Sequence, residues 1–262
     1  MDKRTEQLNW FYDGFKEDAR LDSSRHGQLE YLTTMHYIHK LIPAGSEIIE
    51  LGAGTGRYSI ALAKEGYGVT AVELADRNLD LLRQNSRGHA NMQAVQGDCL
   101  DLSRFPDGGF DAALVLGPLY HLYSDADHKT ALAEAIRVTK PGGIVMVAFL
   151  SVHGILFNNY LQGNLFAGLE ENFTRDNQVK HFTEQLFTGF NVDEFEALFE
   201  ALPIRRITTA AADSILELAE GRADFSMSDE EFAAFSAYHL QNCERRELLG
   251  CSSHLLYIGQ KR

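Results

Sequence analysis

From residue 46 onward the apolar positions of this chain alternate between two rhythms. Glu47–Leu51 is a short apolar run that ends in a glycine turn and reads as a first strand. Arg57–Lys64 has helical spacing and stops at Glu65-Gly66. Gly68–Val72 is a second strand closed by Glu73, and Asp76–Ser86 reads as a helix with Asp76 as its cap. Met92–Val95 follows as a third strand, then Gly97-Asp98. Phe110–Leu116 is almost continuously apolar, as expected of a central parallel strand covered on both faces. A helix at Asp125–Val138, a tight turn at Pro141-Gly142-Gly143 and a buried strand at Ile144–Leu150 complete the series. Strands alternating with helices at this spacing predict a doubly wound α/β sheet.

The flanks are less regular. Residues 8–42 are rich in aromatics and histidine, and Leu29, Leu32, Met35, Ile38 and Leu41 recur at helical spacing until Pro43 and Gly45. After Leu150 the rhythm fails: residues 151–190 hold few helix signals and many Asn, Gly and Phe, so they read as an insertion. Val192–Leu202 predicts a helix leading into a strand near Ile204–Thr209. Residues 213–248 are acidic and mostly helical, a second insertion, and Ser253–Gly259 predicts a last, antiparallel strand. The expected sheet is therefore mostly parallel and seven-stranded, with insertions after the fifth and sixth strands.

Composition narrows the partners. The 262 residues are 45% hydrophobic and carry a formal net charge of -13, with only the short basic pairs Arg205-Arg206 and Arg245-Arg246. That lowers the expectation of a nucleic-acid partner, which usually meets a basic patch. Cys99, Cys243 and Cys251 are scattered with no Cys-x-x-Cys pair, which fits a reducing compartment. His36 and His39 share a helical face without a third ligand at useful spacing, so no metal site is expected. The N-terminus has no apolar leader, and no apolar run reaches the roughly 18–20 residues of a membrane span. A cytoplasmic protein is the expectation.

The chemistry begins at Glu50-Leu51-Gly52-Ala53-Gly54-Thr55-Gly56-Arg57, a strand ending in glycines before a helix. Such a turn lets a ligand approach the main chain and the unpaired N–H groups of the helix. The dinucleotide fingerprint Gly-x-Gly-x-x-Gly would need a glycine where Arg57 stands, and no P-loop Gly-Lys-Ser/Thr occurs. The pattern here, Glu-x-Gly-x-Gly-x-Gly, resembles the first motif of the class I S-adenosylmethionine-dependent methyltransferases.

The resemblance covers roughly residues 46–150 and the last strand. It implies a cofactor site formed by Glu50, Gly52, Ala53, Gly54, Gly56 and Tyr58 with Glu73-Leu74, Asp98-Cys99 and Leu116-Gly117. A carboxylate at Glu73 can accept from both ribose hydroxyls, and Asp98 resembles the family's adenine-binding acid. Glu50 either orients the amino-acid end of the cofactor or caps the loop's own N–H groups. Phe110–Leu122 is similar to the family's fourth-strand motif, and Pro141-Gly142-Gly143 to its turn before the fifth strand. Trp10-Phe11-Tyr12-Asp13-Gly14-Phe15, with Arg20 and Arg25-His26, resembles the helical lid that some members place over the site. The expected organisation is a lid at 1–45 and a cofactor-binding domain at 46–262, with Tyr12 and Arg25 as the lid's preferred contacts. The alternative for the aromatic cluster is core packing.

Methyl transfer from a sulfonium is an in-line displacement with a neutral leaving group, so alignment matters more than acid catalysis. Tyr120 and His121 follow the fourth strand where the methyl should lie; His121 can serve as a base, or it caps a turn while Tyr120 packs over the cofactor. Phe182, Phe187 and Phe190 either line an acceptor pocket or form the insertion's own core. The implied function is methyl transfer to a small molecule. A protein or RNA methyltransferase is the runner-up, disfavoured by acidic charge and by Gly117-Pro118-Leu119-Tyr120 in place of an Asn/Asp-Pro-Pro-Tyr/Phe motif. A cofactor-binding regulatory module without transfer activity is a third reading.

Overall fold

The computed structural model describes residues 3–14, 17–161, 163–180 and 186–262. Two helices, α1 (Lys3–Gly14) and α2 (Arg25–Leu41), precede the sheet. The alternating part runs β1 (Glu47–Leu51), α3 (Arg57–Lys64), β2 (Gly68–Glu73), α4 (Asp76–Asn85), β3 (Met92–Gln96), β4 (Phe110–Val115), α5 (Asp125–Val138) and β5 (Thr139–Ser151). Then come α6 (Val152–Tyr160), α7 (Leu165–Asn172), β6 (Gly189–Phe190), α8 (Val192–Ala197) and β7 (Ile204–Ala211). The described chain closes with α9 (Leu216–Glu220), α10 (Asp229–Asn242), α11 (Arg246–Leu249) and β8 (His254–Lys261).

The strands form one sheet in the order β3-β2-β1-β4-β5-β8-β7, and the two-residue β6 makes an eighth strand beside β5. The pairs among β1 to β5 are parallel, whereas β8 runs antiparallel to both β5 and β7. Ile48, Ile49 and Leu51 of β1 and Ala112 through Val115 of β4 are fully buried, because helices cover both faces of the sheet. The strand order reverses between β1 and β4, which opens a crevice at their carboxyl ends, the usual ligand site of such sheets.

Four local expectations change. Asp76 is not the cap of α4: Ala75 holds that position, and the Asp76 N–H is taken by Asn9 Oδ1 of α1 at 2.9 Å. The Pro141-Gly142-Gly143 turn lies inside β5, where the register with β4 jumps from Phe110–Thr139 to Ala112–Ile144. The extra residues bulge out with Gly142 at φ 79°. Residues 151–190 are not poor in helix. Ser151 caps α6 by accepting from the Gly154 N–H, and Val152 and Leu156 pack on Phe173. Val192–Leu202 is helical only as far as Ala197.

Candidate active site

A cavity of about 300 Å³ lies over the crevice and beneath α1. Its floor is the glycine turn after β1. Gly52 and Gly54 have φ of 71° and 56°, a left-handed backbone that costs any residue with a Cβ. A Cβ on Gly52 would also stand 2.7 Å from Pro118 Cδ, so the turns after β1 and β4 meet with no room for a side chain.

Glu73 ends β2 with both oxygens pre-set. Oε2 accepts from the Gly54 N–H at 2.7 Å and Oε1 from the Ala75 N–H at 2.8 Å. Burial pushes its carboxyl up to about 7, against the pull of those two hydrogen bonds. Each oxygen keeps lone-pair capacity toward the cavity, the acceptor pair that a vicinal diol needs. Asp98 lines the same end, with Oδ1 accepting from the Leu100 N–H at 3.0 Å and Oδ2 paired with Arg4 of α1. Cys99 lies beside it, and burial raises its thiol far above the ordinary range.

One wall is aromatic. His121 Nδ1 lies 2.8 Å from the Leu186 carbonyl, which can only accept, so Nδ1 carries the proton. Nε2 is then the basic nitrogen, and it faces the Tyr12 hydroxyl at 3.1 Å. Burial drops the imidazole to about 4, so it is neutral near pH 7. Phe187 closes against His121 and against Phe11 of α1, with ring centroids 5.0 and 5.5 Å away. The Tyr120 hydroxyl is given to the Leu116 carbonyl at 3.2 Å, so this residue holds the turn after β4 in shape.

A buried ion network runs from Glu17, which packs against Gly54 of the glycine turn, to the start of β8. Arg20 makes a two-pronged contact with Glu30 at 2.7 and 3.0 Å and reaches Glu17 with Nε at 3.3 Å. His254, at the start of β8, sets Nδ1 2.7 Å from Asp213. Burial alone would raise the Glu30 carboxyl; Arg20 and His254 outweigh it and hold it at about 2.

The cavity brings together Tyr12, Gly52, Gly54, Glu73, Leu74, Asp98, Cys99, Leu116, Gly117, Tyr120 and His121. Glu50, Ala53, Gly56, Tyr58 and Arg25 do not line it. Glu50 is buried under the turn and accepts from the Ser59 hydroxyl rather than from loop N–H groups. Burial lifts its carboxyl to about 8, so it carries its proton at neutral pH. Tyr58 stacks on Tyr31 at 5.2 Å. Arg25 turns to α10, bonding Asp229 at 2.5 Å with its guanidinium 4.7 Å from the Phe232 ring centroid. Trp10 is 78% exposed, and Phe190 packs on Phe195 and His128. Phe15 and Phe182 lie outside the described residues. Arg4, Glu17 and His254 line the cavity with no signal in sequence, since each sits on an element placed by long-range packing.

These features suit a sulfonium nucleoside: a cradle that a Cβ would fill, two oriented oxygens for a diol, and an acid for an exocyclic amine. Residues 48–143 match the family model described as a methyltransferase domain. The chain is 34% identical over 108 residues to the demethylmenaquinone methyltransferase of Clavibacter sepedonicus, covering 41% of this chain and 42% of that protein. It is 36% identical over 107 residues to the S-adenosyl-L-methionine-dependent Diels-Alderase iccD of Talaromyces variabilis, covering 39% and 35%. These alignments span about two fifths of the relatives' length. A solved SAM-dependent methyltransferase from Thermotoga maritima superposes with a TM-score of 0.60 at 16% identity, over 99% of this chain and 100% of that one. The 1,6-didemethyltoxoflavin-N1-methyltransferase of Burkholderia thailandensis, solved with 1,6-didemethyltoxoflavin and S-adenosylhomocysteine, gives 0.57 at 16% identity, over 98% and 86%. The two structures share this chain's fold.

Proposed function

We propose that this chain, whose residues 48–143 match a methyltransferase-domain model, is a class I S-adenosylmethionine-dependent methyltransferase that transfers the cofactor's methyl group to a small molecule held in the roofed cavity. The observation that carries this reading is the roof itself. Phe11 and Tyr12 of α1 meet Phe187 and His121 over the crevice, so an acceptor sits inside a closed aromatic wall. A polymer chain would have to part that contact. The names of one relative, a demethylmenaquinone methyltransferase, and of one structure of the same fold, a 1,6-didemethyltoxoflavin-N1-methyltransferase, point the same way.

In this reading Glu73 holds the ribose diol, Asp98 the adenine amine, and the turn at Gly52 and Gly54 the backbone-facing edge of the cofactor. The cofactor supplies an electrophilic methyl on a cationic sulfur. His121 Nε2 accepts the proton of the attacking O–H or N–H, taking it in place of the Tyr12 hydroxyl. Tyr120 keeps the turn at Gly117 open, and Phe11 and Phe187 exclude water.

The test is a transfer assay with methyl-labelled S-adenosylmethionine in an extract of the source cells, separated by size. Label in the small-molecule fraction is the expected result. Label in protein or RNA replaces the reading with the macromolecular one. The Diels-Alderase relative supports a second reading, cofactor binding without transfer. Its signature is S-adenosylhomocysteine binding with no label in any fraction.

A further inference from the structure

One wall of the cavity holds His254. This residue pairs with Leu150 across β5 and β8, and β5 and β4 separate it from β1 in the sheet. At roughly 4.8 Å per strand, three steps put it about 14 Å across the sheet from β1. Asp213 is fully buried and saturated. It accepts from the Ser252 hydroxyl at 2.5 Å, the Ser253 N–H at 3.0 Å, the His254 N–H at 3.2 Å and His254 Nδ1 at 2.7 Å. Those contacts hold the imidazole in one orientation and leave Asp213 little capacity for a metal ion.

His254 Nε2 has no hydrogen-bond partner among the described residues, and the side chain lines the cavity. Burial works against its charge, but Glu30 and Asp213 raise the imidazole to about 9, so near pH 7 both nitrogens are donors. Beside it, on α9, stands Glu217, whose carboxylate also lines the cavity and takes one hydrogen bond from Asn158 at 2.8 Å. Ligating atoms of Asp213, Glu217 and His254 lie within 4.8 Å of one another. Donor and acceptor therefore sit side by side on one wall. An anion there would meet Asp213, Glu30 and Glu217; a cation would meet the imidazolium and Arg20.

We propose that His254 and Glu217 form an acceptor-recognition subsite for a neutral group presenting an oxygen acceptor next to an N–H or O–H donor, as in a carboxamide or a hydroxy-carbonyl unit. His254 Nε2–H donates to the oxygen, and Glu217 accepts from the neighbouring donor. Asp213 is the positioning residue behind the imidazole. This assignment rests on the small-molecule reading above. It extends that reading to the chemistry of the group that the site selects.

Benzamide, benzoate and benzamidinium have nearly the same shape and differ in charge. Their binding to the S-adenosylhomocysteine-saturated protein is measured by calorimetry at pH 7.5. Benzamide is expected to bind at least ~5-fold tighter than either ion, the worth of about one net hydrogen bond. In Glu217→Gln, a change on the cavity surface that leaves the Asp213–His254 pair in place, the preference of benzamide over benzoate should vanish. Benzoate or benzamidinium binding first, equal or no binding by all three, or an unchanged ranking in Glu217→Gln would each overturn the subsite. Loss of S-adenosylhomocysteine affinity in Glu217→Gln would also overturn it, because the group would then belong to the cofactor's own site. The size-fractionated label assay reports separately on the small-molecule reading, so the two failures are distinct.

Discussion

Tyr12 and His121 meet at 3.1 Å, hydroxyl to Nε2, across 109 residues of chain. The contact ties the roof helix to the proposed base, so roof and proposed chemistry share one side chain. Replacing His121 with Gln keeps an acceptor for Tyr12 and removes the basic nitrogen. The expected result is a kcat lower by about 10²-fold with S-adenosylhomocysteine affinity unchanged. Equal turnover in the labelled-methyl assay would take His121 out of the chemistry.

Two of the cavity's histidines, His121 and His254, should leave opposite marks on stability. His121 sits at about 4 when folded, below its ordinary 6.5, because burial disfavours the charge. Its contribution is complete above pH 6.5 and is lost as pH falls toward 4, worth roughly 3 kcal/mol. His254 lies at about 9, so its contribution is complete below pH 6.5 and is lost as pH rises through 9. Urea midpoints measured from pH 4 to 10 check both limbs. In His121→Gln the acid limb should flatten while the alkaline limb stays; an unaltered acid limb contradicts the assignment.

Glu73 offers a direct test of the proposed diol contact. Glu73→Gln puts an amide where two backbone N–H groups already point at oxygens, so one of those contacts is lost along with an acceptor. S-adenosylhomocysteine should bind at least ~10-fold more weakly, on the scale of one charge-assisted hydrogen bond. In the unaltered protein, affinity should fall as pH drops below 7, since burial places this carboxyl at about 7 and the ionised form is the better acceptor. Calorimetry between pH 6 and 8 decides; a flat profile argues against an ionised Glu73 in the complex.

α1 is twelve residues long and buries only Leu8 fully, too little to be stable by itself in water. Polar contacts anchor it: Arg4 to Asp98, and Asn9 to Asp76. Its amides should exchange with deuterium faster than those of α2 and slow markedly when S-adenosylhomocysteine is added. Exchange in α1 that ignores the ligand would mean the helix is a fixed wall rather than a lid.

Between Glu47 and Leu150 the architecture is readable because β1, β2 and β4 are short apolar runs next to a Gly or a carboxylate, whereas polar β3 and the long β5, which runs through the Pro141-Gly142-Gly143 turn, are marked less sharply. For the same reason Glu73 and Asp98 could be placed: each follows a strand, and strand ends converge on the crevice. Side-chain direction could not be read. Arg25 and His26 are neighbours, yet His26 lines the cavity while Arg25 faces Asp229. The role of Glu50 depended on a burial that no local pattern reveals. Asn158, in the Asn-rich stretch whose sequence shows few helix signals, sits inside α6, where it donates to Glu217 and Ser253. The Asp213–His254 dyad joins residues 41 apart that meet only once β8 has docked.

β8 supplies one edge partner for β5 along seven residue pairs, from Ile144–Gln260 to Leu150–His254. During synthesis, therefore, β5 emerges with that edge bare, and Val145, Met146 and Val147 wait for a partner from the last part of the described chain. A ribosome-bound or truncated product lacking 254–261 would leave β5 as an apolar, unpaired edge strand, the template on which other chains aggregate. The wall that holds His254 thus depends on the same late docking that covers this edge, which makes a molecule with a finished cavity also a molecule whose central strand is no longer bare.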